Sequence, residues 1–406
     1  MYPTLYHFFS DTLGVEWHWA RLLNSFGFFV ALAFIAASYT LSLELRRRTQ
    51  LGQFRPEKRR LVTGKGPDWT DVAIHVLLGF FFGWKILYLL LNSSRLFGGN
   101  EPAQVHLFSS SGYPVAGALF GLGMGLWRWW TYRKQQLPEP REQIVDFQPW
   151  EYTGTITFYA AIFGLIGAKL FHLLENPREL ISFFTEPSLG GFLAGLTVYG
   201  GLILGAAGVI FFAWRKKMNI LYLADSIAPG LMLAYGIGRI GCHVSGDGDW
   251  GIANPNPKPD WLSWLPDSLW AYDYPNNVNG VGEPLTNGVI FEGYGTHLVP
   301  PVFPTPVYET TMAVIIFLIL WRLRKKMHVP GAILGFYLVL NGLERFMIEQ
   351  IRVNQVFDFL GMRVTQAEVI SVLFFTGGLL LLIWCRMRKH VQKPLDETIP
   401  PDGLSS

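Results

Sequence analysis

The sequence predicts an all-α integral membrane protein, a single polytopic membrane domain over residues 1–406 with about nine transmembrane helices. Half of the residues are hydrophobic and 16% are charged, which is well below the charged share of a soluble domain. The hydrophobic residues come in blocks of about 20, the length that a helix needs to cross ~30 Å of hydrocarbon. Strands of a membrane barrel would be about half as long and would alternate in polarity, so helices are predicted.

Nine hydrophobic blocks are the predicted spans. A helix satisfies the hydrogen bonds of its own backbone within lipid, so uninterrupted blocks of this length are expected to be helical. The first block begins near Leu22 and is too long for the hydrophobic part of a signal peptide, so no cleavable signal is expected. The predicted spans are residues 22–45, 70–91, 113–130, 152–174, 192–214, 221–240, 306–321, 331–351 and 365–384.

The segments between the spans alternate in charge. Every second one carries a cluster of Lys and Arg, and by the positive-inside rule these segments are cytoplasmic. The N-terminus is therefore predicted outside and the C-terminus in the cytoplasm, with a long outer loop at 243–305. A formal net charge of +3 gives no indication of a nucleic-acid partner. The basic clusters lie at residues 46–48, 58–60, 133–134, 215–217, 322–326 and 386–389.

The helix pair at 70–135 resembles the pair at 152–217. In each, a lysine (Lys85 or Lys169) lies two residues after a glycine, and the run ends at an asparagine. The second helices of the two pairs are aligned through Tyr113 and Tyr199 with one change of spacing. Both pairs have the same orientation, unlike the inverted repeats of many transporters. A duplicated two-helix unit is favoured over chance similarity between glycine-rich helices.

Charged residues within hydrocarbon cost about 2.5–3.5 kcal/mol each, so each one inside a predicted span requires a reason. Long side chains near a helix end can extend to the interface, which is the simpler explanation for Arg352 and for the two lysines. It explains less well the positions of Arg239 and Arg345, whose surroundings are polar and contain glycine. The residues concerned are Lys85, Lys169, Arg239, Arg345, Glu349 and Arg352.

The densest polar segment runs from residue 238 to 251, at the predicted outer end of the sixth span. Arg239, His243, Asp247 and Asp249 are the residue types that bind a phosphate and move a proton. Cation binding by the two aspartates and a purely structural turn are the alternatives. The segment lacks the downstream pattern of a calcium loop, so no metal is predicted. Cys242 lies at the opposite membrane face from Cys385, so no disulfide is expected.

Two further polar segments lie in the last third of the chain. Asn341, Arg345 and Glu349 are spaced by four residues and therefore share one helix face, where a structural Arg–Glu pair is the alternative to a functional site. Tyr308 and Glu309 enter the seventh span, where Glu309 is either functional or an ordinary interfacial carboxylate.

Taken together, these motifs resemble those of the bacterial prolipoprotein diacylglyceryl transferases. The family carries a signature close to Gly-Arg-x-Gly-Asn-Phe-x-Asn-x-Glu-x-x-Gly, which Arg239, Gly241 and Gly251 match, with Asp247 or Asp249 at the acidic position. The resemblance covers about 150–390 and the first span. Further segments that resemble the family are 224–229, 304–309, the lysine segment 169–176, and the helix bearing Arg345, Glu349 and Arg352.

The chain departs from the family at several positions. The family has His-Gly-Gly where this chain has Tyr199, Gly200 and Gly201. Cys242 replaces an asparagine, Asn341 replaces a tyrosine, and the signature contains one extra residue. These changes concern the proton-transfer group more than the phospholipid site.

The resemblance implies transfer of diacylglyceryl from phosphatidylglycerol to the lipobox cysteine of a secreted prolipoprotein at the bacterial inner membrane. Its implied partners are these two substrates and membrane lipids, without metal or organic cofactor. A transferase with another acceptor and a lipid or solute transporter are the alternatives. The implied catalytic residues are Tyr199, Arg239, Asp247, Asp249, Arg345 and Glu349. A tyrosine with a pKa of about 10 is a poor base, so His243 is predicted as the base, oriented by Asp247 or Asp249. The implied substrate-binding residues are Lys169, Gly200, Gly201, Arg239, Cys242, Gly251, Tyr308, Glu309, Asn341, Arg345 and Arg352.

Overall fold

The computed structural model describes residues 1–96, 106, 109–185, 195–354, 356–359 and 362–391. This part of the chain is mostly helical, as predicted, and is free of any barrel. The long helices are α2 (Ser25–Gln50), α3 (Trp69–Leu91), α4 (Pro114–Gln135), α5 (Thr153–Glu175), α6 (Val198–Arg215), α7 (Ile220–Ser245), α8 (Thr305–Leu323), α9 (Ala332–Glu349) and α10 (Gln366–Val391), preceded by the short α1 (Leu5–Leu13). Further short helices lie at Ser93–Leu96 and Pro177–Thr185.

Each of the nine predicted spans overlaps one long helix. Among the described residues, seven of these helices are long and apolar enough to cross a membrane, all but α4 and α9. Helix α9 carries Glu344, Arg345 and Glu349, which lower its hydropathy. The multi-pass character is thus confirmed, whereas the count of nine and the orientation stay predictions. The predicted start of the fifth span, at Phe192, lies outside the described residues.

Helix ends follow local capping chemistry. The side chain of Asn24 accepts a hydrogen bond from Gly27 N at 2.6 Å at the start of α2. Asn219 accepts from two backbone N–H groups at the start of α7. Helix α7 ends at Gly246, whose φ of 65° is left-handed and turns the chain into the outer loop.

Helix α7 lies at the centre of the bundle and packs against α2, α8 and α9. It is the most buried of the candidate spans. Its inner face meets those of α8 and α9 in an apolar core, which holds the three helices side by side. The buried members of that core are Ala228, Met232, Ala313, Ile316, Leu320 and Ile333.

A buried charge network joins the predicted cytoplasmic ends of the same helices. Glu44, fully buried in α2, pairs with Arg48 at 3.0 Å and with Arg324 at 2.5 Å. Asp225 of α7 accepts hydrogen bonds from Gly331 N at 2.9 Å and Leu334 N at 2.8 Å, which satisfies the first turn of α9. This network fixes the helices at the end opposite Arg239.

The pairs α3/α4 and α5/α6 pack through matching contacts. A Cβ on Gly83 would lie 2.5 Å from Ala116 O, and one on Gly167 would meet Gly200 O in the same way. Tyr113 N donates to Trp84 O at 2.8 Å, and Thr197 N donates to Ala168 O at 3.0 Å. Corresponding residues lie 84 positions apart, as in Trp84/Ala168 and Tyr113/Thr197. The structural partner of Tyr113 is therefore Thr197, and its alignment with Tyr199 was wrong by two residues.

Short strands were not predicted, and the described residues contain three two-stranded antiparallel sheets. The longest joins β1 (Glu57–Thr63) to β2 (Arg141–Phe147), with Thr63 opposite Arg141. It connects the α3/α4 pair to the rest of the chain. The others pair β3 (Glu283–Pro284) with β4 (Thr296–His297) and β5 (Val356–Phe359) with β6 (Met362–Thr365).

Candidate functional site

Four charged side chains meet at the predicted outer end of the bundle, and we call them the ion-pair cluster: Arg239, Asp249, Glu309 and Arg352. Arg239 donates to Asp249 Oδ2, and its Nε lies 2.5 Å from Glu309 Oε2. Arg352 donates to Asp249 Oδ1 at 2.5 Å and to Glu309 Oε1 at 3.0 Å. Each carboxylate thus bridges both guanidinium groups, and the cluster joins α7, the outer loop, α8 and the segment after α9.

The backbone around Gly251 holds this geometry. Gly251 N donates to Phe303 O at 2.9 Å, and Ile252 N donates to Ile351 O at 2.8 Å. A Cβ on Gly251 would lie 2.5 Å from Ile351 O, so the close approach requires glycine here. Thr305 Oγ1 donates to Asp249 O at 2.8 Å. The outer loop is therefore tied to both segments that supply Glu309 and Arg352.

The ion-pair cluster is electrically balanced and well shielded from solvent. Glu309 is fully buried, and the Arg352 side chain is 8% exposed. Burial alone would raise the pKa of Asp249, but the guanidinium groups of Arg239 and Arg352 outweigh it and lower the pKa to about 2. Burial works against the charge of Arg352 too, yet Asp249 and Glu309 raise its pKa above the ordinary value. Asp249 and Arg352 are therefore both charged at neutral pH in this arrangement.

Tyr235 and Glu344 extend the ion-pair cluster towards α9, and the sequence analysis missed both. The hydroxyl of Tyr235 donates to Glu309 Oε2 and lies 3.3 Å from Glu344 Oε1. The Arg239 guanidinium stacks 5.1 Å from the centre of the Tyr235 ring. The spacing of four residues between Tyr235 and Arg239 was the available signal, because it places both on one face of α7.

Cys242 and Asp247 lie beside the ion-pair cluster. Cys242 Sγ is 3.4 Å from Asp249 Oδ2. Burial and the neighbouring charge of Asp249 raise the pKa of Asp247. Ligand atoms of Cys242, Asp247 and Asp249 lie within 4.8 Å of one another, although both oxygens of Asp249 already accept hydrogen bonds from arginine. Both cysteines are free.

His243 does not have the predicted orientation. Its Nδ1 lies 3.2 Å from the Tyr274 hydroxyl, and its ring packs against Tyr272 and Tyr274. The expected contact with Asp247 or Asp249 is replaced by this aromatic one, because α7 continues through Ser245 and turns the ring towards the outer loop.

The helix α9 motif forms in part as predicted. Arg345 Nη2 lies 3.3 Å from Glu349 Oε2, which confirms the pair expected from their spacing. Glu349 Oε1 also accepts from Asn354 at 2.6 Å. Asn341 contacts the sulfur of Met232 at 3.7 Å. Arg345 Nη1 is buried without a hydrogen-bond partner among the described residues.

The remaining predicted residues lie in two places, Tyr308 on α8 and the other four on α5 and α6. Tyr308 donates to Leu269 O at 2.6 Å and holds the outer loop against α8. Gly200 and Gly201 pack on the α5 backbone, and Tyr199 is half-buried in the first turn of α6. Lys169 is buried in α5. The described contacts of the two glycines are those of helix packing.

Comparison with known proteins assigns the larger part of the chain to one protein family. The sequence model of a family described as prolipoprotein diacylglyceryl transferase matches residues 139–384. A Streptococcus uberis protein named phosphatidylglycerol–prolipoprotein diacylglyceryl transferase is 27% identical over 237 residues, which is 56% of this chain and 76% of that protein. Proteins of the same name from Yersinia pestis and Corynebacterium glutamicum are both 26% identical. The match covers 90% of the Yersinia protein and 68% of this chain. For the Corynebacterium protein it covers 70% of that protein and 58% of this chain.

Proposed function

Because the chain belongs to the prolipoprotein diacylglyceryl transferase family, we propose that it transfers diacylglyceryl from phosphatidylglycerol to a prolipoprotein lipobox cysteine. Glycerol phosphate is the other product. The observation that carries the proposal is the pairing of Arg239 with Arg352 around two carboxylates, the fully buried Glu309 and the partly buried Asp249, at one end of the bundle. Two guanidinium groups held at a bilayer surface suit the phosphate of a lipid headgroup.

The reaction requires cations at the phosphate. The thiol sulfur attacks the diacylglycerol carbon that bears the phosphate. The bond between that carbon and oxygen breaks, and its electron pair stays on the phosphate oxygen of the departing glycerol phosphate. Charge grows on that phosphate, and preorganised donors stabilise it. Arg239 and Arg345 bind it, with Arg352 beside them, because Arg345 Nη1 and Arg352 Nε are buried donors without partners among the described residues.

The thiol must also lose its proton, since its ordinary pKa is about 8.5. His243 takes this role, and Tyr274 rather than an aspartate orients its ring. Tyr199 occupies the position of the family histidine and contacts headgroup or thiol. The cationic groups are positioned by Asp247, Asp249 and Glu349. The substrate path is lined by Lys169, Gly200, Gly201, Cys242, Gly251, Tyr308, Glu309 and Asn341.

The protein works as a multi-pass protein of the bacterial inner membrane, with the ion-pair cluster on the outer side. There phosphatidylglycerol and emerging prolipoproteins are both accessible. The α3/α4 pair is a duplicate of α5/α6, a proposal supported by the constant separation of 84 positions between their matching contacts. We infer that it is an addition to the family fold, an inference that the start of the family match at residue 139 supports.

The test is direct transfer by purified protein. Protein in micelles containing phosphatidylglycerol is incubated with a lipobox peptide, and mass spectrometry should detect a gain of one diacylglyceryl group. Micelles of phosphatidylcholine alone should give no product. Arg239→Gln should abolish transfer, whereas Arg128→Gln, which breaks the Asp71 ion pair in the α3/α4 unit, should retain it.

Two results would contradict the proposal. Transfer by the Arg239→Gln protein at the wild-type rate would separate the ion-pair cluster from the chemistry. No product under conditions where a known family member works would favour the transporter alternative, which the parallel helix pairs motivate. Product with a different thiol but not with a lipobox peptide would indicate another acceptor.

A further inference from the structure

Glu344 and Tyr235 form a buried polar pair that the proposed transfer reaction does not use. Glu344 lies in α9 directly before Arg345 and is 3% exposed. The Tyr235 hydroxyl lies between two carboxyl groups, as it donates to Glu309 Oε2 and is 3.3 Å from Glu344 Oε1. The three groups form a continuous chain from the ion-pair cluster to the interior of α9.

The number of protons determines how this chain is bonded. A tyrosine hydroxyl has one proton to donate, and its oxygen can accept a second hydrogen bond. Because that proton points to Glu309, the contact with Glu344 is favourable only if Glu344 is the donor. Glu344 must then be a neutral carboxylic acid.

The charges around Glu344 lead to the same conclusion. The groups that face it are Tyr235 and Arg239 from α7, Glu309 from α8, and Tyr337 and Arg345 from α9 itself. Arg239 is already paired with two carboxylates and Arg345 with Glu349. Helix α10 also packs against α9, but the hydroxyl of its buried Ser371 already donates to Ala367 O.

The second oxygen of Glu344 offers no compensation for a charge. Oε2 has no hydrogen-bond partner among the described residues. A buried carboxylate without its own counter-charge takes up a proton instead.

We propose that Glu344 holds a proton in the resting protein and that Tyr235 relays it to Glu309 when a phosphate group binds at Arg239 and Arg352. This inference rests on the proposed function of the two arginines. The O–H bond of Glu344 breaks as a new one forms on the Tyr235 oxygen, and the original Tyr235 proton moves to Glu309 Oε2. No proton is exchanged with solvent.

The relay changes which groups the arginines face. Neutral Glu309 no longer balances their charge, so Arg239 and Arg352 are released towards the phosphate as its negative charge grows. Glu344 then carries the negative charge, and it lies further from Arg239 and Arg352 than Glu309 does along the chain of hydrogen bonds. When glycerol phosphate leaves, the proton returns by the same two steps.

Infrared difference spectroscopy tests the resting state without any turnover. Wild-type protein at neutral pH should show the carbonyl band of a protonated buried carboxyl that is absent from Glu344→Gln and displaced in Glu344→Asp. Tyr337→Phe, which removes a neighbouring hydroxyl outside the relay, should keep the band. An identical carboxyl band in wild-type and Glu344→Gln protein would overturn the proposal.

The transfer step is tested with glycerol phosphate and by kinetics. Adding glycerol phosphate should replace the Glu344 band by that of a protonated Glu309 in wild-type protein but not in Tyr235→Phe, and an unchanged Glu344 band in wild-type protein with bound glycerol phosphate would overturn the relay. Glu344→Gln and Tyr235→Phe should lower kcat by at least about tenfold with little change in KM. Rates equal to that of Tyr337→Phe would also overturn it. An inactive wild-type protein would count against the transferase function, while the resting band would still decide the protonation of Glu344.

Discussion

Arg352 lies 2.5 Å from Asp249, although 102 residues separate them in the chain. The contact joins the segment after α9 to the outer loop, and the backbone pairing of Gly251 with Arg352 lies beside it. The ion-pair cluster therefore closes the tertiary fold, besides its proposed role in binding phosphate.

Arg352→Gln should destabilise the protein by about 3 kcal/mol, because it leaves the fully buried Glu309 with less compensating charge. Thermal unfolding in a fixed detergent measures the change. Arg128→Gln provides the control, since that arginine pairs with Asp71 in a partly exposed site where a much smaller loss of stability is expected. Equal losses for the two variants would contradict the assigned importance of the cluster.

Asp249→Asn should reduce stability at pH 7 and have little effect near pH 2. The ordinary pKa of an aspartate is about 3.9, and that of Asp249 is lowered to about 2. Its stabilising contribution is therefore complete above the ordinary pKa and is lost as the pH falls through 2. Unfolding midpoints of both proteins across this range should converge in acid, and a constant difference would argue against the ionised Asp249.

Asp247→Asn should have the opposite sign. Burial and Asp249 raise the pKa of Asp247, so its charge at neutral pH opposes folding. The amide should therefore stabilise the protein at pH 7, with the difference shrinking as the pH falls from the raised pKa of the folded protein towards the ordinary aspartate pKa, and absent below about 3.9. A clear loss of stability at pH 7 would show that Asp247 is held by a charged partner instead.

Gly251→Ala should cost about 1–3 kcal/mol and impair transfer, because the added methyl group meets Ile351 O and the side chain of Phe303. Gly377→Ala is the matched control, as a Cβ there meets nothing within 4 Å. Unfolding midpoints and the peptide transfer assay provide the two measurements. Full activity of Gly251→Ala would show that the outer loop need not close against Ile351.

Removal of the α3/α4 pair should leave the remaining fold intact. Replacing residues 64–140 by a two-residue Asn-Gly turn joins Thr63 to Arg141, which already face each other across the β1–β2 sheet. Two spans are lost together, so the later helices should keep their orientation. Cysteine accessibility at the outer loop and the transfer assay measure the outcome, and inverted accessibility would contradict the predicted topology.

The sequence predicted contacts within one helix better than contacts between segments. Long apolar blocks located the helices, and a spacing of four residues predicted the Arg345–Glu349 pair. The bridging of Arg239 and Arg352 by Asp249 and Glu309 depends on four separate segments, so no local pattern indicates it. His243 faces Tyr274 because α7 extends to Ser245, beyond the predicted end at residue 240. The two-residue error at Tyr113 arose because hydrophobicity does not fix the register of two glycine-rich helices.

The distribution of the ion-pair cluster along the chain has a consequence for biosynthesis. Its members are made in the order Arg239, Asp249, Glu309 and Arg352, so a partly made chain has a charge at this site that nothing yet balances. Only when Arg352 is in place do the two carboxylates have a full set of partners. Helices α7 and α8 should therefore stay with the insertion machinery, or remain sensitive to proteolysis, until α9 has been synthesised and inserted.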